Sequence, residues 1–219
     1  YNINLSEQQE RAVQSVEGAY LLLAVPGSGK TTVLVDRLGY MVEGRGIDPC
    51  SILAVTYSRS AAEEMRSRYI GKFGRESGSQ IDFRTIHSLS YKIYTQYCKM
   101  NNETIRQVIP DNKLKSLFRK VYREYQQDKS PSEAVISDLQ TAIAYAKNMM
   151  LTEEQISEID SDYPNFSLMF KRYCDLLEEQ DQMDFDDQMI FAHRILTSIS
   201  SESEYWQNRY RYICVDEAQ

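Results

Sequence analysis

The run Ala24-Val25-Pro26-Gly27-Ser28-Gly29-Lys30-Thr31 places two glycines, a lysine and a hydroxyl in an order suited to a chain of phosphates. Gly27 and Gly29 let the backbone curl until successive N–H groups point at one anion. Lys30 adds a fixed cation for the outer phosphates, and the hydroxyl of Thr31 suits Mg²⁺. Thr32 continues into a stretch with helical spacing, whose N-terminal dipole favours negative charge. Ala24 through Thr32 are therefore the nucleotide-binding candidates. The strict phosphate-loop pattern has glycine where this chain has Ala24, a departure of one methyl group.

A second candidate pair, Asp216 and Glu217, follows the apolar run Tyr212-Ile213-Cys214-Val215. At the C-terminal end of a strand in an open parallel sheet, an Asp faces the ligand crevice. There Asp216 can hold Mg²⁺, usually through water, and Glu217 can orient and deprotonate an attacking water. Lys30 and Glu217 are the catalytic candidates, and Thr31 and Asp216 the metal ligands. The chemistry is nucleoside triphosphate hydrolysis.

These groups need strands behind them and helices in front. Tyr20–Ala24 is an apolar run short enough to be a buried strand leading into the loop. Leu5–Val13 reads as a helix with Ser6 as N-cap. Ser51–Thr56 and Ile81–Thr85 read as further strands, 60–69 as a helix between them, and 71–79 as a Gly- and Ser-rich loop. This is the alternation of a parallel α/β sheet. From about 90 to 200 the pattern is helical only. Leu114, Leu117, Phe118, Val121, Tyr122 and Tyr125 recur at helical spacing, as do Val135, Ile136, Leu139, Ile143 and Ala146, and Phe166, Phe170, Tyr173 and Leu177. Thr152-Glu153-Glu154-Gln155 is a capping-box pattern. The expected organisation is 1–89 as the first part of an ATP-binding domain, 90–200 as a helical insertion, and 201–219 as the returning strand.

The chain has 219 residues and a formal net charge of −7. The charge is uneven: residues 57–102 carry 8 basic and 4 acidic groups, whereas 103–219 carry 13 and 22. A local basic stripe can bind phosphates despite an acidic total. Lys113, Lys115, Arg119, Lys120 and Arg123 form a second basic cluster with no acid among them; solvated surface and contact with duplex DNA are both open readings. The 4 cysteines are scattered without a Cys-x-x-Cys pair, which argues against zinc and for a reducing, cytoplasmic setting. No apolar run approaches a membrane span of about 18 residues. No secretory signal is visible, and the start at Tyr1 rather than Met is expected of a trimmed beginning.

Taken in order, the motifs resemble the N-terminal part of a superfamily 1 DNA helicase of the UvrD/Rep/PcrA type, over essentially the whole chain. Leu5-Ser6-Glu7-Gln8-Gln9 is similar to that family's adenine-reading motif, and Ala24–Thr31 to its motif I. Leu53–Met65 resembles motif Ia, with Tyr57 where Phe is usual. Thr85-Ile86-His87-Ser88 and Asp184-Phe185-Asp186-Asp187 resemble two further motifs. Asp216-Glu217-Ala218-Gln219 resembles motif II without its usual final Asp.

The resemblance implies a RecA-like P-loop sheet with an inserted helical subdomain. It implies that Gln9 reads adenine and that Gln219 senses the γ-phosphate or the attacking water. It further implies that Thr56, Tyr57, Arg59, Thr85, His87 and Ser88 line a channel for single-stranded DNA. ATP and Mg²⁺ are the implied cofactors, and single strands and single/double-strand junctions the partners, in 3′→5′ translocation serving DNA repair or replication. A second RecA-like lobe, supplying arginine fingers, would lie outside these residues, so this segment alone is expected to bind nucleotide weakly and hydrolyse almost nothing. Two alternatives stay open: the helicase part of an AddA/RecB-like nuclease-helicase, and a P-loop binding protein without helicase activity.

Overall fold

The structure is a computed structural model that describes residues 5–25, 27–126, 130–160 and 163–217. The chain divides into two compact units, Tyr1–Leu89 with Ile199–Gln219, and Ser90–Ser198.

In the first unit, α1 (Glu7–Gln14) starts at Ser6, whose hydroxyl accepts from Gln9 N while the Gln9 side chain accepts from Ser6 N. This reciprocal capping box satisfies two N–H groups that a helix start leaves open. Helix α2 (Lys30–Gly39) follows the phosphate loop. Strand β1 (Ile52–Thr56) is buried at every position, as suits a central strand covered on both faces. Helices α3 (Arg59–Phe73) and α4 (Arg75–Gln80) carry the chain across to β2 (Asp82–Thr85). The Gly/Ser-rich stretch expected as a loop is thus the end of α3 and all of α4, broken only at Gly74, which has φ +101°. Helix α5 (Ile86–Asn101) leads out of this unit.

The second unit contains β3 (Gln107–Val108), α6 (Asp111–Tyr125), α7 (Glu133–Asn148), α8 (Glu153–Ile159), α9 (Phe166–Glu179), β4 (Gln182–Met183) and α10 (Phe185–Thr197). Its core is the apolar faces read from the sequence: Leu117, Phe118 and Val121 of α6 against Ile136, Leu139 and Ile143 of α7 and Met169, Tyr173 and Leu177 of α9. The Phe118 and Tyr173 rings stack with centroids 4.8 Å apart. The expectation of helices alone needs one correction, because β3 and β4 pair in parallel, Val108 opposite Met183. Two-residue strands carry no periodicity to read.

The chain returns through α11 (Ser201–Arg209) to β5 (Tyr212–Val215). The sheet is parallel throughout in the order β2-β1-β5, with Ala54 opposite both Phe83 and Cys214. β2 and β5 flank β1 on either side, and the connection between them runs through α5, the second unit and α11. One face is packed by Val35, Leu38 and Met41 and by Met65 and Tyr69. Gly39 permits the closest approach between α2 and α3: a Cβ there would fall 2.2 Å from the Phe73 ring.

The buried strand expected at Tyr20–Ala24 is absent. Leu21 is 76 % exposed and Leu23 84 %, and the run forms no ladder. An apolar run becomes a strand only where a neighbour takes its backbone hydrogen bonds, and no described residue does so. On β5, Ile213 and Val215 are likewise exposed while Cys214 between them is buried.

Candidate nucleotide and nucleic-acid site

The two glycines before α2 put the backbone into a tight turn. Gly27 has φ +80° and Gly29 φ +83°, both in the left-handed region that side chains disfavour. Ser28 closes the turn, its N–H and hydroxyl both donating to Val25 O at 3.2 and 2.7 Å. Gly29 is the N-cap of α2 and provides no side-chain cap, and the first turn has no acidic residue. Among the described residues no side chain caps the leading N–H groups of this helix, and a helix start of that kind favours an anion. Ala24 is half-buried, Val25 and Thr32 are exposed, and Pro26 lies outside the described residues.

Across from the loop, β5 delivers its acidic end. Asp216 N donates to Val55 O at 2.8 Å, extending the ladder one residue past the strand. The chain then turns sharply at Glu217, with φ +55°. Lys30 Nζ lies 3.5 Å from Glu217 Oε1, both side chains partly exposed. The lysine of one motif and the carboxylate of the other therefore share one site. Thr31, the second residue of α2, and Asp216, just past β5, carry a hydroxyl and a carboxylate, the hard oxygen groups that Mg²⁺ prefers. Gln219 lies outside the described residues.

Gln9 reaches the same loop, donating from Nε2 to Ser28 O at 3.0 Å. The spacing Ser6-x-x-Gln9 is a capping-box signature legible in the sequence, but the long-range bond to Ser28 is not.

A second group of residues sits at the C-terminal ends of β1 and β2, where Thr56 pairs with Thr85. Tyr57 is 83 % exposed, which excludes a core role. Arg59 is exposed at the start of α3, and Ser58 caps that helix by accepting from Ala61 N. His87 is half-buried. Two of the expected DNA-channel residues, Thr56 and Thr85, are buried, and their hydroxyls bond locally. Thr56 Oγ1 donates to Ser58 O at 3.0 Å. Thr85 Oγ1 accepts from Ser88 N, while Ser88 Oγ accepts from Thr85 N and donates to Thr85 O. These bonds shape the two loops, at which Tyr57 and Arg59 are exposed and His87 and Ser88 half-buried.

In the second unit the Asp184–Asp187 motif caps α10 by a reciprocal box. Lys147, 4 % exposed on α7, donates to Asp184 Oδ2 at 2.7 Å and to Asp187 Oδ1 at 2.8 Å. Tyr173 of α9 donates to Asp184 Oδ2 at 2.7 Å. Burial works against the Lys147 charge, but the two carboxylates outweigh it and raise its pKa. Burial also works against the Asp184 charge; Lys147 prevails and holds that carboxyl below its ordinary value. Asp187 is pushed up, mainly by burial. The network ties three helices at one point, and Lys147 carried no signal by which the sequence could mark it.

A family profile described as the UvrD/REP helicase N-terminal domain matches residues 5–219, and the chain belongs to that family. Among curated proteins it is similar to "ATP-dependent DNA helicase PcrA" of Staphylococcus epidermidis, 30 % identical over 99 % of this chain and 30 % of that protein. The similarity to the protein of the same name in Staphylococcus aureus is 28 % over the same shares. The chain thus spans about 30 % of the length of the curated relatives it matches.

Proposed function

We propose that the protein carrying this chain is an ATP-dependent DNA helicase that moves 3′→5′ on single-stranded DNA, acting in the cytoplasm in repair or replication. The observation that carries the reading is Lys30 beside Glu217, two chemically complementary groups brought together by the parallel sheet. In this reading Lys30 neutralises the outer phosphates of ATP. The open N–H groups at the start of α2 hold them in place. Glu217 accepts the proton of the attacking water, and Gln219 orients that water against the γ-phosphate. Thr31 and Asp216 hold Mg²⁺, which when bound supplies charge neutralisation at the same oxygens. Gln9 gives the preference for adenine.

Tyr57 offers a face on which a base stacks, with Arg59 and His87 beside the backbone and Thr56, Thr85 and Ser88 fixing the loops. Family membership and the exposure of Tyr57 support this. Among the described residues no helix is long and apolar enough to cross a membrane.

The test is steady-state ATP hydrolysis by the full-length protein with and without single-stranded DNA, beside unwinding of duplexes bearing a 3′ or a 5′ tail. The expected result is hydrolysis stimulated by the strand, unwinding of the 3′-tailed duplex only, and loss of both in Lys30→Ala. Hydrolysis indifferent to DNA, or unwinding from a 5′ tail, overturns the reading.

A further inference from the structure

Helix α1 is tied to α2 at one end and to the loop that precedes α2 at the other. At its C-terminal end, Arg37 of α2 donates to the carbonyls of Ala12, Ser15 and Val16, which the helix leaves open. Val13 and Val16 are buried beneath it. At its N-terminal end, both ends of the Gln9 amide are bonded. Oε1 accepts from Ser6 N at 2.9 Å, and Nε2 donates to Ser28 O at 3.0 Å. The same nitrogen stands over the loop glycine, where a Cβ on Gly29 would meet it at 3.6 Å.

The peptide joining Ser28 to Gly29 is planar and trans, so its C=O and N–H point in opposite directions. Holding Ser28 O toward Gln9 therefore aims the Gly29 N–H away from α1. That N–H belongs to the group of inward-pointing donors a phosphate chain needs. Gly27 and Gly29 sit at positive φ, and glycine moves between backbone wells at little cost, so the orientation requires an outside restraint.

We propose that Gln9 is a positioning residue of the phosphate loop. It holds the Ser28–Gly29 peptide in its anion-binding orientation through Nε2, independently of any base. The inference rests on the phosphate-loop reading above and assigns Gln9 a task that adenine recognition does not require. Its consequence is that a ligand with phosphates and no base feels the loss of Gln9.

The experiment measures binding of inorganic tripolyphosphate and of ATP, each with Mg²⁺, to the full-length protein and its Gln9→Ala and Gln9→Glu variants. Gln9→Glu keeps the acceptor for Ser6 N and so keeps the helix cap, but it loses the donor to Ser28. The expected result is tripolyphosphate binding weakened about two- to tenfold in Gln9→Ala, as for the loss of one hydrogen bond, and by at least as much in Gln9→Glu, whose carboxylate also repels the phosphates. Weaker ATP binding with unchanged tripolyphosphate binding overturns the proposal and leaves Gln9 reading the base. Weakening in Gln9→Ala but not in Gln9→Glu also overturns it, because the loss then acts through the cap. If the unaltered protein binds neither ligand, the phosphate-loop reading itself fails.

Discussion

Lys30 Nζ and Glu217 Oε1 stand 3.5 Å apart, joining the first residue of α2 to the chain just past β5. In the function proposed above, phosphate competes with Glu217 for Lys30, and Glu217 serves the attacking water. Both side chains are a third or more exposed, which keeps the pair weak. Glu217→Gln removes the pair and the proton acceptor together. Nucleotide binding should stay equal or tighten by at most a fewfold, while turnover stops. Binding isotherms and single-turnover hydrolysis check this; turnover at the unaltered rate would remove Glu217 as the base.

Tyr57 is the exposed aromatic at the ligand end of the sheet. Tyr57→Ala should weaken single-strand binding by ~1–3 kcal/mol and lower DNA-stimulated hydrolysis. The melting temperature should hold, because the ring supports no core. A fall in melting temperature matching the fall in binding would assign the ring to packing instead.

Lys147 lies buried between Asp184 and Asp187. Lys147→Met leaves two carboxylates without their cation, and a broken buried pair costs about 3–5 kcal/mol. Denaturant unfolding, with hydrogen exchange of α7 and α10 as the local readout, should show that loss in the second unit. A change below about 0.5 kcal/mol, the range of ordinary surface substitutions, would make the network ornamental.

Alkaline pH should weaken the same unit. Burial pushes Tyr94 up from 10.0 to about 12. Between those values the folded state keeps a proton that the unfolded chain has lost, so stability falls as pH rises. The raised pKa of Lys147 acts the same way: its pairing is intact below 10.5 and is lost as pH climbs through the folded value. Unfolding midpoints measured from pH 9 upward should therefore fall beyond about pH 10, and Tyr94→Phe should flatten part of the slope. A flat profile would contradict the burial of Tyr94.

On α6, Lys115 and Lys120 are exposed, whereas Arg119 is already paired with Glu133. Replacing both lysines by Glu should reduce unwinding of a tailed duplex and flatten the salt dependence of duplex binding, while sparing a short single strand. Behaviour identical to the unaltered protein on both substrates would identify this face as solvated surface.

The sequence by itself determined what could be read from local chemistry. Gly27 and Gly29 marked a tight backbone turn, the all-apolar Ile52–Val55 a buried strand, and Thr152-x-x-Gln155 a helix start. Helical periodicity marked the faces of α6, α7 and α9 because one period repeats over three or more turns.

Tertiary structure decided whatever depends on a distant partner. Tyr20–Ala24 has a strand's composition, yet no described neighbour accepts its ladder and it remains exposed. Thr56 and Tyr57 are adjacent in a motif, but the sheet buries one and presents the other. Lys147 became the centre of an ion network only when α7 met the start of α10. Gln9 found Ser28 because α1 packs beside α2 and the loop before it, and Lys30 found Glu217 because the start of α2 lies by the end of β5. Local propensity acts over a few residues, whereas these pairings arise from packing between segments remote in the chain, and no spacing within a motif encodes them.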